Sequence, residues 1–506
     1  MMSFDTIKKQ TKDLVTFGLW ARLLNFLKGI LIAFFIGANF RVDTYIVAFS
    51  ATIFIIAILS EALVVSLVPL YQQIDKRDGE RGRFEFTHNL ISFWSIIGFT
   101  LLILSYILTP IIVRIFAPGF SVLELQKSIR LFRYGAPIIL AYIYKAIFGG
   151  YLQSQHLFRA GAKGGVANAI VYIVYLVFFS RRFGLEGLMI AGVIAVSVQA
   201  YILAEPIFAN QGYRYKPYIL LKDRSLIRLN SFLLPIVIGV GINQINLAVD
   251  NAIASFLIEG TISELNYADE IIHLFIGVIV IALVTAIFPV ISEKDIRFHE
   301  EELKHSIRYS IELILIVSIP ATILILTMAE PIVRVFYERG EFGVAATLAT
   351  AKFLIYFAIG IIGSSLLLLI TRIYYANEYT NKPIFVAFLS LVLNIVFNII
   401  LVFAMGASGI ALGTSLSVLI ASFYGIYDLE KKIHFIKLAG MGKVGFRFLI
   451  ASGAMIGIIS LIKIIFIPLI GHLFIGNLIT VISAVLLGGG AFFIILFKIK
   501  TKMEML

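Results

Sequence analysis

Cysteine does not occur among the 506 residues, which excludes disulfides, thiolate metal ligands and thioether-linked haem. Charge is nearly as scarce. Only 14% of residues are Asp, Glu, Lys or Arg, 60% are hydrophobic, and mean hydropathy is +0.98. So little polar surface cannot clothe a water-soluble domain of this size. Nor does the chain carry a GxxxxGK[ST] loop, an HExxH pair or a GxSxG elbow, so nothing points to an ATPase, a zinc protease or a serine hydrolase. Any work it does is expected to draw on an ion gradient, the membrane potential or the substrate gradient, without enzymatic chemistry. The net charge of +12 is spread over short, separated basic segments, a pattern that argues against nucleic-acid binding.

What is present is a series of long hydrophobic runs. Fourteen apolar spans are expected, near 14–37, 43–70, 87–109, 130–153, 161–180, 185–208, 229–257, 265–291, 306–328, 346–375, 383–405, 407–429, 446–468 and 474–497, each long enough to cross a bilayer as a helix. The first run follows Lys8, Lys9 and Lys12. It is too long for a signal peptide and reads as an uncleaved span. With the N-terminus inside, the inner segments hold 28 of the 42 Lys and Arg residues and the outer ones 9, so both termini are expected in the cytoplasm.

Three separated matches reveal an internal repeat. TPIIVRIFAPGF (109–120) pairs with EPIVRVFYERGEF (330–342), LVPLYQQ (67–73) with IFPVISE (287–293), and FGLEGL (183–188) with MGASGI (405–410), at offsets of 220 to 222 residues. Spans 1–6 and 7–12 thus become two copies of one six-helix unit. An even number of spans gives both copies the same orientation, a parallel repeat about an axis normal to the membrane. The expected fold is an all-α polytopic membrane protein with two six-helix lobes, residues 1–215 and 216–435, followed by two further helices in 436–506. Facing bundles of this kind suit a transporter whose substrate site lies between lobes that rock.

Charges inside apolar spans are costly and mark candidate function. Arg22 and Lys28 lie in span 1, with Arg22, Asn25 and Gly29 on one helical face; such cations suit an anionic head group, phosphate or pyrophosphate. Lys28 is also placed to snorkel to an interface. Asp43 opens span 2 and is equally suited to capping that helix. Glu61 lies deeper, and Lys145 in span 4 has Glu61 or substrate as alternative partners. Asp269 and Glu270 in NYADE (266–270) read as first-turn acids or an outer gate. Span 7 carries Asn243, Asn246 and Asp250 on one face, while Asn394, Asn398 and Thr414 lie in spans 11 and 12. Asp250, Asn394, Asn398 and Thr414 form a hard-oxygen set suited to Na⁺, with helix-to-helix hydrogen bonding as the alternative for the asparagines.

Taken together, FFIGANFRVDTYIVAF (34–49), IFAPGF (115–120), FGGYLQSQHLF (148–158), LLPIVIGVGINQINLAVDNAIASFL (233–257), NYADE (266–270), IVRVFYERGEF (332–342) and RIYYANEYTNKP (372–383) make the chain resemble the MviN/MurJ family of lipid II flippases. That family belongs to the multidrug/oligosaccharidyl-lipid/polysaccharide exporter superfamily. The resemblance implies a flippase in the bacterial plasma membrane that turns undecaprenyl-pyrophosphate-linked peptidoglycan precursor outward by alternating access, coupled to membrane potential or cation. The last two helices would line a groove for the lipid tail, and partners would be membrane lipids and the cell-wall synthesis machinery. The family's span 1 arginine maps to Arg22, its span 2 aspartate to Asp43, and its cation site to Asp250, Asn394, Asn398 and Thr414. Three positions depart from the family pattern. Its Arg-Asp pair is here Lys28-Gly29, its arginine-bearing stretch of span 2 is TIFIIA (52–57), and the arginine after YAD is Glu270. Arg372 and Lys145 are the cations available to compensate. These departures keep a different polyprenyl-linked glycan, or a small-molecule export substrate, as alternatives.

Overall fold

Alternation of charged connections with apolar runs of 20 residues or more leaves helices as the only economical way to satisfy backbone N–H and C=O groups in hydrocarbon. The computed structural model, which describes residues 4–210, 213–292, 300–377, 379, 381–435, 438–470 and 473–504, is all-helical among those residues. Two compact units, residues 1–263 and 264–506, are distinguished by their internal packing.

The first unit holds α1 (Phe4–Ile36), α2 (Phe40–Phe116), α3 (Val122–Gly135), α4 (Ile138–Ser154), α5 (Arg159–Phe178), α6 (Ser180–Asn210) and α7 (Arg224–Ala254). At 77 residues α2 is far too long for one crossing, and its backbone breaks at Gly79 (φ 64°, ψ −157°). That conformation lies outside the range of L side chains, and it falls amid Lys76–Arg83, so α2 is two spans joined at a charged turn. Similarly, α3 and α4 form a pair bent by 42°. The second unit starts within α8 (Thr261–Phe275) and continues through α9 (Ile281–Ser292), α10 (Glu300–Phe336), α11 (Val344–Ala376), α12 (Asn381–Met405), α13 (Ser408–Ile433), α14 (Leu438–Ile470), α15 (Phe474–Ser483) and α16 (Gly490–Glu504). Single π turns join α8 to α9 and α15 to α16. Eleven helices pass as membrane crossings among the described residues, twelve with the bent pair. Counting α2 as two and adding α7 is consistent with fourteen.

Helices in lipid gain little from the hydrophobic effect on each other, so close contact decides their packing. In the first unit Leu63, Leu67 and Tyr71 of α2 meet Ile143, Ile147 and Tyr151 of α4 and Leu226 and Leu229 of α7. Because α7 is anchored there, the first compact unit runs to residue 263, beyond the end of the first repeated sequence. In each unit a glycine-bearing helix packs on its predecessor, α6 on α5 and α13 on α12. A methyl group on Gly187 would strike the Tyr175 hydroxyl, and one on Gly192 would lie 2.6 Å from the Tyr172 hydroxyl. In the second copy Gly409, at the repeat position of Gly187, and Gly413, at that of Ala191, are equally tight, against the Leu401 backbone and Asn398.

A break in α10 exposes the cost of proline in this setting. Pro331 has no N–H for the Thr327 carbonyl one turn earlier, and the backbone departs from helix at Met328 (φ −120°, ψ 20°). The Lys463 ammonium of α14 donates to that carbonyl at 3.0 Å. In the first copy the matching Pro110 deprives Tyr106, and Thr109 Oγ1 from the same turn supplies a bond at 3.1 Å. Glu330 stands where Thr109 does in the repeat, so the second copy takes its donor from outside the repeated unit. We expect Lys463→Met to lower unfolding stability by about 1–2 kcal/mol, measured by thermal unfolding in nanodiscs, and Lys463→Arg to retain most of it. An unchanged midpoint for Lys463→Met would show that the bond contributes nothing.

Candidate functional site

Helix α1 presents its cations differently. Arg22 is half-buried and makes no hydrogen bond or ion pair among the described residues, while Asn25 of the same face donates to the Ala21 carbonyl at 2.8 Å. Lys28 Nζ lies 4.8 Å from the centre of the Tyr172 ring on α5, a cation–π contact that holds the charge inside the unit. Lys145 on α4 lies 4.6 Å over its neighbour Tyr142. Glu61 on α2 is exposed and makes no ion pair with Lys145 among the described residues. Arg372, near the end of α11, is exposed.

Asp43 is only 2% exposed. Its own helix is capped by Asn39, whose side chain accepts from the backbone of Arg41 and Val42. The Asp43 carboxylate instead accepts the backbone N–H groups of Gly260 at 2.6 Å and Ser263 at 2.7 Å. It therefore caps the start of α8, where orphan donors and the helix dipole both favour an anion. Further along α8, Asp269 pairs with His273 at 3.2 Å, and Glu270 accepts from the buried Tyr337 hydroxyl at 3.4 Å.

Asn394, Asn398 and Thr414 are brought together. Asn398 Nδ2 donates to Asn394 Oδ1 at 3.1 Å, and Asn394 Nδ2 to Thr414 Oγ1 at 3.0 Å, which donates to the Ile410 carbonyl at 2.9 Å. Both asparagines are fully buried. Asp250 belongs to α7 in the first unit. One turn before it, Asn246 Oδ1 is buried with no hydrogen-bond partner among the described residues, the side-chain chemistry of a group left for water or a cation.

One cluster is not legible in the sequence. Arg83 stands in the run KRDGERGR, which resembles a solvated loop, yet it is 8% exposed. Its guanidinium holds Asp75 at 2.7 and 3.0 Å and the Tyr151 hydroxyl at 2.9 Å, and Gln155 Nε2 donates to Asp75 at 2.6 Å. The turn at Gly79 brings Asp75 and Arg83 face to face, a geometry that helical spacing alone does not announce. The second unit has its own such set, with Lys382 and Tyr374 on Asp428 at 2.7 and 2.9 Å.

Multi-pass helices that carry ionisable and amide side chains within their apolar spans define a membrane transporter. The fold recurs in a solved structure described as lipid II flippase MurJ in an inward closed conformation, with a TM-score of 0.79 at 23% identity over 95% of this chain and 97% of the other. It also recurs in an inward-facing multidrug resistance MATE transporter, with a TM-score of 0.73 at 15% identity over 82% and 94%. These likenesses concern the fold. The family model described as lipid II flippase MurJ matches residues 32–485, and the chain belongs to that family. Among its relatives are probable lipid II flippases of Buchnera aphidicola, 26% identical over 85% of this chain and 84% of that protein, and of Rhizobium tropici, 26% identical over 91% and 88%.

If the Asp43 carboxylate holds the start of α8, its removal strips two buried amides of their acceptor. Asp43→Ala should speed hydrogen exchange at Gly260 and Ser263 by roughly 5- to 100-fold, with Asp43→Asn intermediate. Unchanged protection at both amides would mean that the contact does not hold the helix end.

Proposed function

We propose that the chain is a flippase that moves polyprenyl-pyrophosphate-linked peptidoglycan precursor, lipid II, from the inner to the outer leaflet of the bacterial plasma membrane. The observation that carries the reading is the family match across residues 32–485, which covers all but the first span of the first repeated unit and the whole of the second. Arg22, half-buried and without a counter-ion among the described residues, is the cation best suited to meet the pyrophosphate as the head group crosses; Lys28, Lys145 and Arg372 are its auxiliaries. The two six-helix lobes alternate access, the termini lie in the cytoplasm where Lys and Arg concentrate, and the helices of α14–α16 guide the polyprenyl tail. The reading needs no covalent step. Asp43, Glu61, Asp269 and Glu270 complete the polar surface, Asp43 by holding the α8 end.

Coupling is assigned to the membrane potential or to a cation, Na⁺ by its ligand chemistry, with Asp250, Asn394, Asn398 and Thr414 as the oxygen set. What supports this is the proximity of Asn394, Asn398 and Thr414 and the unsatisfied Asn246 oxygen one turn from Asp250; the hydrogen bonds among the three also serve helix-to-helix packing. A second reading, a flippase for another polyprenyl-linked glycan, draws on Glu270, a carboxylate where the family pattern has an arginine.

The test is complementation of a bacterium depleted of its own lipid II flippase, with outer-leaflet lipid II measured directly. The wild-type chain should restore surface lipid II, and Arg22→Ala should lose most of that activity at equal expression. Sound expression with no surface lipid II would rule out this cargo and favour the second reading. Separately, Na⁺ should raise the melting temperature of purified protein above its value in K⁺ at equal ionic strength. That difference should vanish in both Asp250→Ala and Asn394→Ala; no Na⁺ effect in the wild type would dismiss the Na⁺ assignment.

A further inference from the structure

Residues 213–222 lack regular secondary structure, yet they are not a loose loop. They lie along the first turns of the second half of α2. Leu220 N–H donates to Asn89 Oδ1 at 2.8 Å while Asn89 Nδ2 donates to the Leu220 carbonyl at 3.0 Å. Tyr218 N–H donates to Ser92 Oγ and Lys216 N–H to His88 Nδ1, both at 3.2 Å. The Tyr213 and Tyr215 hydroxyls meet His88 and Ser92 at 2.9 and 2.8 Å. Three alternate backbone amides of an extended strap are thus held by side chains of a helix. Such a strap satisfies its inner edge and leaves its outer edge to whatever lies beyond.

That outer edge is amphipathic. Tyr218 is 45% exposed, Ile219 48% and Leu221 64%, and Arg214, Lys216 and Lys222 are exposed among them. Directly after the strap, exposed Arg224 and Arg228 on α7 join Arg77 of α2 around a cavity of about 420 Å³, whose lining also includes Gln73 and Ser225. Arg77 is partly neutralised by Asp78 at 2.6 Å, whereas Arg224 and Arg228 make no ion pair among the described residues. His88 and Ser92 open the third span, which puts the strap at the level where hydrocarbon gives way to head groups. Tyrosine and aliphatic side chains interleaved with Lys and Arg suit that boundary layer and anionic lipid in particular.

We infer that the 213–222 strap, with Arg224, Arg228 and Arg77 beside it, is a docking surface for anionic phospholipid head groups, which seats the start of α7 on the membrane surface. The tyrosine and aliphatic side chains enter the boundary layer, and the arginine-lined cavity accepts the lipid phosphate.

The absence of native cysteine makes the test direct. Ile219→Cys in the full chain carries a single fluorophore, and the protein is placed in phosphatidylcholine nanodiscs containing an equal fraction of brominated phosphatidylglycerol or brominated phosphatidylcholine. Quenching should report about five-fold or greater local enrichment of phosphatidylglycerol, a scale set by one basic residue at an anionic surface. Replacing Arg214, Lys216, Arg224 and Arg228 with Gln on the same background should bring the two lipids to near equality, and NaCl should weaken the preference. Equal quenching in the parent, a preference that survives neutralisation, or no quenching by either lipid would each overturn the inference. So would inorganic phosphate that abolishes the preference where NaCl of equal ionic strength does not, because the arginines would then be a free-phosphate site.

Discussion

Hydrocarbon offers no hydrogen bonds, and the structure is organised around that constraint. Every place where a helix stops, bends or meets proline inside an apolar layer leaves backbone groups that water cannot satisfy. Several such places in the described chain, and one segment at the edge of the apolar layer, have a specific substitute. Thr109 serves the carbonyl that Pro110 abandons, and Lys463 serves the one abandoned at Pro331. Asp43 supplies the acceptor for amides at the start of α8. Asn89, Ser92 and His88 hold the backbone of a segment with no ladder of its own. These bonds decide where helices touch, because apolar surface discriminates poorly between a neighbouring helix and lipid.

Charge follows the same logic. Lys28 and Lys145 rest on tyrosine faces, Arg83 is enclosed by Asp75 and Tyr151, and Arg334 is clamped between Glu330 and Glu338 at 2.9 and 2.5 Å. Residues so engaged have partners within the protein. Arg22 stands apart, since its guanidinium makes no such bond among the described residues. On the proposed function such a cation is available to an anionic cargo, whereas a permanently paired one would have to break its pair on each cycle, at a cost of several kcal/mol for a buried charge left alone.

The repeat shows how one architecture tolerates different local solutions. Gly187 and Gly409 at matched positions, with Gly192 and Gly413 one residue apart in register, keep a close helix crossing in both copies. The polar repairs differ: one copy uses a threonine of its own helix, the other a lysine from α14. A helix outside the repeat has thereby become part of the second unit's integrity.

Much of this was legible in the chain itself. Hydropathy marks the apolar runs because spanning a bilayer requires about 20 apolar residues. The repeat emerges from three constant offsets, and the family motifs emerge as contiguous words. Asn394 and Asn398 are readable as a pair because four-residue spacing on one helix is local geometry, whereas Thr414 joins them from the next helix, α13. The partners of long reach are not readable in this way. That Asp43 serves residues some 220 positions away and not its own helix, that Arg83 is buried, and that residues 213–222 lie on α2 all depend on which helices pack together. Side-chain spacing determines which residues share a face; only the tertiary structure decides what that face meets, because the bonds that choose a neighbour join groups distant in sequence.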